Sequence, residues 1–194
     1  MEITPKQKII FFVVSALLIF CIIPFFFKDR TPRNGTVKTY YDNGKVQFIK
    51  IYKNSKLNGI IKEFYPTGEL MTDYSYRNGL LDGYIKSYYQ TGMLMEYRPF
   101  INNFEHGVSM KFYPDGKEES EYAYVAGLKQ GTYRAFYPDG AIRFLGNYVQ
   151  NVKNGAQNEY SEEGNILVVE NYAYGELMSR DVLGDVLQGL QHGI

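Results

Sequence analysis

Glycine recurs at Gly35, Gly59, Gly83, Gly107, Gly131 and Gly155, always 24 residues apart. A second column, Gly44, Gly68, Gly92, Gly116, Gly140 and Gly164, keeps the same spacing without a slip. A constant period in the twenties is the strongest available constraint on the fold. One supersecondary unit is stacked on copies of itself, and each copy buries what its neighbour leaves open. The units run 35–58, 59–82, 83–106, 107–130, 131–154 and 155–178.

Each unit reserves three places for aromatics, and seventeen of the eighteen slots hold Tyr or Phe, Ser161 being the exception. The doublets are Tyr40-Tyr41, Phe64-Tyr65, Tyr88-Tyr89, Phe112-Tyr113 and Phe136-Tyr137. The singles are Tyr52, Tyr76, Phe100, Tyr124, Tyr148 and Tyr172. Aromatic runs bounded by turn residues read as strands. Between doublet and single lies a turn, plainest in Tyr113-Pro114-Asp115-Gly116. Pro sets φ, Asp bonds locally and Gly takes positive φ, so a type I turn closed by a glycine bulge is expected. That register sets Phe64 opposite Leu70, Tyr88 opposite Leu94 and Phe136 opposite Ile142. A second turn, around Asn78-Gly79, Ala126-Gly127 and Tyr174-Gly175, links successive hairpins. The fold class is all-β: an elongated, single-layer antiparallel meander of about twelve short strands, in six 24-residue hairpin repeats.

The aromatic doublet, two-residue spacer and Gly, followed by Tyr and Asn-Gly, run from Phe64-Tyr65-Pro66-Thr67-Gly68 through Tyr76-Arg77-Asn78-Gly79. This pattern resembles the MORN repeat family in its variant form, met in bacterial YwqK-type antitoxin-like proteins. The resemblance covers Gly35 to Met178. The chain departs from it in having no Trp and in having Asn103 and Asn151 in place of glycine at the linking turn. The antitoxin label implies, by resemblance alone, that some relatives neutralise a partner protein.

The first thirty residues differ in kind. After a tail, 1–8, the segment Ile9 to Phe27 is nineteen residues without a charge. As a helix it measures about 28 Å against a hydrocarbon core of roughly 30 Å. It is longer than a signal-peptide core and ends in Pro24-Phe25-Phe26-Phe27-Lys28, with no small-residue cleavage site. A single-pass transmembrane helix over 9–27 is therefore expected, followed by a linker, 28–34. The short amino tail favours a cytoplasmic N-terminus with the repeats outside the cytoplasm, although flanking Lys and Arg do not decide it. The single Cys lies inside this segment, so the repeats need no disulfide. The tail, 179–194, changes period: Val182, Leu183, Val186, Leu187 and Leu190 share one helical face, which predicts a short C-terminal helix capping the last open strand edge.

Charge excludes one function class. The net charge is zero, whereas a nucleic-acid footprint needs a basic excess. The glycines are spread evenly, unlike a phosphate cradle, and no paired-cysteine or H-E-x-x-H spacing occurs. With two His and one Cys, no nucleophile–base constellation assembles. No catalytic residue, metal or cofactor is expected, and the chain reads as a non-enzyme. His106 reads as a solvated turn residue, in a column with Asn58, Asp82, Gln130 and Asn154. Glu118, Glu119, Glu121, Glu159, Glu162 and Glu163 read as solvated strand faces.

One column invites a partner. Lys38, Lys62, Lys86 and Arg134 stand three residues after the first glycine, in line with Met110 and Asn158. Two strands per unit place them roughly 9–10 Å apart. With Tyr65, Tyr89, Tyr113 and Tyr137 they form a candidate binding row for an acidic partner or anionic headgroups. The expected function is a membrane-anchored, non-enzymatic scaffold that binds another protein, in its sharpest form an antitoxin or immunity-type neutraliser. The alternative is a cell-envelope module that binds lipid headgroups or wall glycan.

Overall fold

The computed structural model describes residues 31–183. The chain divides into two compact units, Met1–Pro32 and Arg33–Ile194, and the second carries the repeats. The expected transmembrane helix over 9–27 lies outside the described residues. Among the described residues no helix is long and apolar enough to cross a membrane.

The repeats form one antiparallel sheet of sixteen strands. The first unit supplies β1 (Asn34–Tyr40), β2 (Val46–Lys53) and the short β3 (Lys56–Leu57); the second supplies β4 (Gly59–Phe64) and β5 (Leu70–Arg77). The third begins in β6 (Leu80–Tyr88) and continues with β7 (Leu94–Ile101) and β8 (Phe104–Glu105). Then come β9 (Gly107–Phe112), β10 (Glu118–Val125), β11 (Leu128–Phe136), β12 (Ile142–Val149) and β13 (Val152–Lys153). The series closes with β14 (Gly155–Tyr160), β15 (Ile166–Ala173) and β16 (Glu176–Val182). The main path, β1-β2-β4-β5-β6-β7-β9-β10-β11-β12-β14-β15-β16, is a meander. The total exceeds the expected twelve for two reasons. β3, β8 and β13 are the detached first residues of longer strands, and β16 adds one strand beyond the sixth hairpin.

Hairpin registers follow the expectation: Phe64 pairs with Leu70, Tyr88 with Leu94 and Phe136 with Ile142. The loops do too. Gly68 N–H donates to the Tyr65 carbonyl at 2.8 Å and Tyr65 N–H to Glu69 at 2.8 Å, with Gly68 at φ +106°. That is a β-turn closed by a glycine bulge. The linking turns are two-residue loops with positive φ at both places, as in Asn78 (+52°) and Gly79 (+86°). Asn103 (+70°), Asn151 (+71°) and also Ser55 (+58°) take the second place without being glycine.

Because facing residues share a side of the sheet, register assigns every column to a face. Ile61, Phe100, Ala135, Thr72, Ser109, Ser120 and Gln157 are buried and all lie on one face, here termed the enclosed face. Asp73 is the buried residue of the opposite, open face.

The expected C-terminal helix is corrected at its start. Ser179 to Val182 belong to β16 and pair with Asn171 to Val168 of β15. The open edge of β15 offers unpaired backbone groups, and satisfying them outweighs a weak helical pattern. Leu183 N–H still donates to the Leu167 carbonyl at 2.8 Å, and 184–194 lie outside the described residues.

Candidate functional site

Two columns seen in the sequence organise the contacts between repeats. The second aromatic of each doublet stands where the strand enters its loop, and its hydroxyl donates to the next repeat. Tyr41 Oη reaches the Phe64 carbonyl at 2.7 Å, Tyr65 that of Tyr88 at 2.8 Å, and Tyr89 that of Phe112 at 2.7 Å. Tyr113 and Tyr137 reach Phe136 and Tyr160, both at 2.7 Å. The Tyr half of the candidate row is thus a set of structural pins whose hydroxyls are already engaged. Ser161 holds the sixth such place, and its Oγ accepts the Asn165 N–H of its own loop at 3.3 Å.

The opposite rim is joined by the column containing His106. Asn58 Oδ1 accepts the Asn78 N–H at 3.1 Å, Gln130 Oε1 that of Gln150 at 3.0 Å, and His106 Nδ1 that of Ala126 at 3.3 Å. His106 is exposed, as its reading as a solvated turn residue expects, and it also serves as an acceptor between turns. Its hydrogen bond requires Nδ1 to be unprotonated. Asp82 departs from the column and pairs with Arg77 at 3.3 Å.

The cationic half of the row lies, as spaced, in a line across the open face. Register runs Lys38–Ile49–Lys62–Asp73–Lys86–Tyr97–Met110–Glu121–Arg134–Leu145–Asn158–Val169–Asp181 without interruption. From Lys62 to Asp181 the charges alternate in sign. Lys62 Nζ is 3.1 Å from Asp73, Arg134 pairs with Glu121, and Lys86 lies 4.6 Å from the Tyr84 ring centre. The sequence revealed the line but not the carboxylates inserted in it, which come from the other strand of each hairpin. Glu121 is thus an ion-pair partner, and Glu118 is no solvated carboxylate either. One of its oxygens is buried without a partner, and burial pushes its carboxyl above the usual range.

The enclosed face holds the more elaborate site, built from the column of single aromatics together with columns that sequence reasoning left unremarked. A cavity of about 340 Å³ spans the third and fourth repeats, its wall including Glu96, Arg98, Glu105, Ser109, Lys111, Ser120, Tyr122, Tyr124 and Lys129. Arg98 meets Glu105 with both arms, Nε at 3.2 Å and Nη2 at 2.9 Å, and Ser109 Oγ donates to the same carboxylate. That fork raises the Arg98 pKa further. Beside it Tyr122 stacks on Tyr133 at 4.0 Å between centres, with Tyr148 edge-on to Tyr133 at 6.4 Å. Lys129 Nζ lies 3.7 Å from the Tyr122 ring centre and 5.2 Å from that of Tyr148. Burial pulls Lys129 below the usual lysine range, with Glu105 opposing, and raises Tyr122, Tyr124 and Tyr148. Gly146 shapes the neighbouring floor. A Cβ there would stand 2.0 Å from Gln157 Oε1, so the absence of a side chain lets Gln157 lie flat on the sheet. The sequence signal for this site is the alternate-residue spacing of Arg98, Phe100 and of Tyr122, Tyr124, legible only once a face is assigned.

The site offers cation–π contacts, a fixed ion pair and hydroxyls. Among the described residues no group of three or more His, Cys, Asp or Glu side chains could hold a metal ion.

The sequence matches the family described as MORN repeat variant over residues 33–54, 57–78, 81–102 and 129–150. No curated protein matches it. Among solved structures, a mutant of S. aureus TarM in complex with fondaparinux, alpha-GlcNAc-glycerol and UDP is similar at 13% identity, over 87% of this chain and 22% of that one. The TM-score of that match is 0.21. The unit 107–130, between the matched segments, makes the same hairpin, the same glycine-closed loop and the same tyrosine pin as its neighbours. The chain is a MORN-repeat variant protein.

Proposed function

We propose that this chain is a non-enzymatic protein-binding scaffold and that its enclosed face receives the partner. MORN repeats are commonly protein- or lipid-binding modules. The observation that carries the choice is the cavity on that face, where aromatic rings and charged groups converge on a sheet pinned along both rims. Tyr and Arg in a rigid, partly desolvated depression are the composition of an interface anchor. The open face supports the reading less, because its charges alternate and are largely paired.

In its finer form the scaffold is held at a membrane by 9–27, with the repeats outside the cytoplasm, and the partner is a protein that it neutralises. The uncharged nineteen-residue stretch supports the anchor, and the family resemblance supports the neutraliser. A photo-crosslinking residue placed at Glu96, on the enclosed face, tests the scaffold in cells producing the full chain. The expected product is a discrete protein adduct, absent when the probe stands at Thr132 on the open face. Adducts from Thr132 alone would overturn the reading, and lipid or glycan adducts would put an envelope module in its place. Protease access to the repeats in intact cells tests the compartment.

A further inference from the structure

Repetition lets one unit serve as a reference for another. Lys129 and Lys153 are each the 23rd residue of their unit. Lys153 Nζ has three partners: the Tyr172 ring at 4.5 Å, the Tyr172 hydroxyl at 3.2 Å and Glu170 Oε2 at 3.5 Å. Arg180 holds the other oxygen of Glu170 at 3.3 Å. Lys129 has the equivalent ring, Tyr148, and a closer one in Tyr122. The place of Glu170, however, is taken by Gly146. Lys129 therefore keeps its aromatic seat and lacks its carboxylate, and among the described residues it forms no ion pair.

The surroundings do not make up the loss. Glu105 is committed to Arg98 and Ser109, and Glu96 faces Lys111 across the strands. Lys129 borders the cavity, with Ser120, Tyr122 and Tyr124 beside it. A half-buried ammonium whose facing carboxylate, Glu105, is already held by Arg98 and Ser109 is only partly compensated, and an arriving carboxylate recovers the remaining cost at short range in a low-dielectric setting. Resting on the reading of the enclosed face as the binding face, we infer that this cavity is a carboxylate subsite. In it Lys129 receives an acidic side chain of the partner, as Lys153 receives Glu170.

The full-length chain titrated calorimetrically with glutarate, and separately with a capped tetraglutamate peptide, tests this. Both probes should bind, the peptide more tightly. Lys129→Met, which keeps the stem packed on the rings, should weaken both about tenfold or more. Lys129→Arg should retain binding, and Lys153→Met should stay within about twofold of the wild type, a difference below 0.5 kcal/mol. Wild-type affinity in a folded Lys129→Met, an equal loss in Lys153→Met, or no binding of either probe overturns the subsite. Lys129-dependent glutarate binding with no peptide binding preserves the subsite and overturns the protein-scaffold reading. Should Lys129→Met fail to melt like the wild type, the Lys129→Arg and Lys153→Met pair still decides the matter: loss of binding in Lys129→Arg, or in Lys153→Met, refutes the subsite.

Discussion

Tyr89 shows how one atom sets the spacing of repeats. Its hydroxyl crosses to the carbonyl of Phe112, 23 residues on, and ties the loop rim of one unit to the next. Tyr89→Phe removes only that bond, and the urea midpoint should fall by the equivalent of about 0.5–1.5 kcal/mol. Gly83 works through space and conformation together. Its φ is +128°, and a Cβ would stand 2.4 Å from Ser75 Oγ. Gly83→Ala should therefore cost about 1–3 kcal/mol, read by thermal melting, and Ser75→Gly in the same chain should recover only the steric part. Tyr74 reports on the enclosed face. Burial first, and its 2.6 Å bond to Glu63 second, push its pKa up to about 12. A raised folded value means stability present below pH 10 and lost as pH rises from 10 towards 12. Absorbance at 295 nm should show a late-ionising tyrosine that Tyr74→Phe removes, with a shallower loss of stability over that window. The aromatic columns were legible in the sequence at this scale. The acceptor that each hydroxyl reaches was not, because it belongs to the next unit's backbone.

The repeats differ from the final strand in how they pass the glycine bulge. Between the pairs Tyr76–Leu81 and Tyr74–Ile85, β6 carries two more residues than β5, and β11 does the same against β10. Against β15, β16 carries one, between Tyr172–Leu177 and Asn171–Ser179. Ser179 stands where each earlier unit has its first glycine. A one-residue slip exchanges the faces of a strand, and this one turns Arg180 onto the enclosed face, where it meets Glu170. Charges of both signs on β16 make it a poor template for further pairing. Hydrogen exchange should find the amides of β16 and β1 opening well before those of β7 to β12, since each outer strand is bonded on one side within the sheet. Equal protection throughout the sheet would contradict this. Helical spacing of Val182 and Leu183 with the residues that follow misdirected the sequence reading here. Periodicity over so few residues does not weigh the pull of an unpaired edge.

Across the repeat array, contacts run between nearest neighbours, so stability should behave as a sum over units and interfaces. Deletion of 83–106 removes one complete unit and lets Tyr65 meet Phe112 as its new acceptor. Circular dichroism should show the β signature retained, with a cooperative transition at lower urea. Deletion of 83–94 removes a single strand, reverses the direction of all that follow, and should abolish that transition. The period, the two kinds of turn, the all-β class and the hairpin pairings were determined by the sequence alone, because each depends on local chemistry repeated every 24 residues. Only the tertiary structure decided which face each column occupies, that the cationic line is interrupted by Asp73 and Glu121, and that Lys129 has rings but no carboxylate. Those outcomes depend on how many residues each bulge absorbs and on side chains from neighbouring strands, and a linear pattern does not encode either.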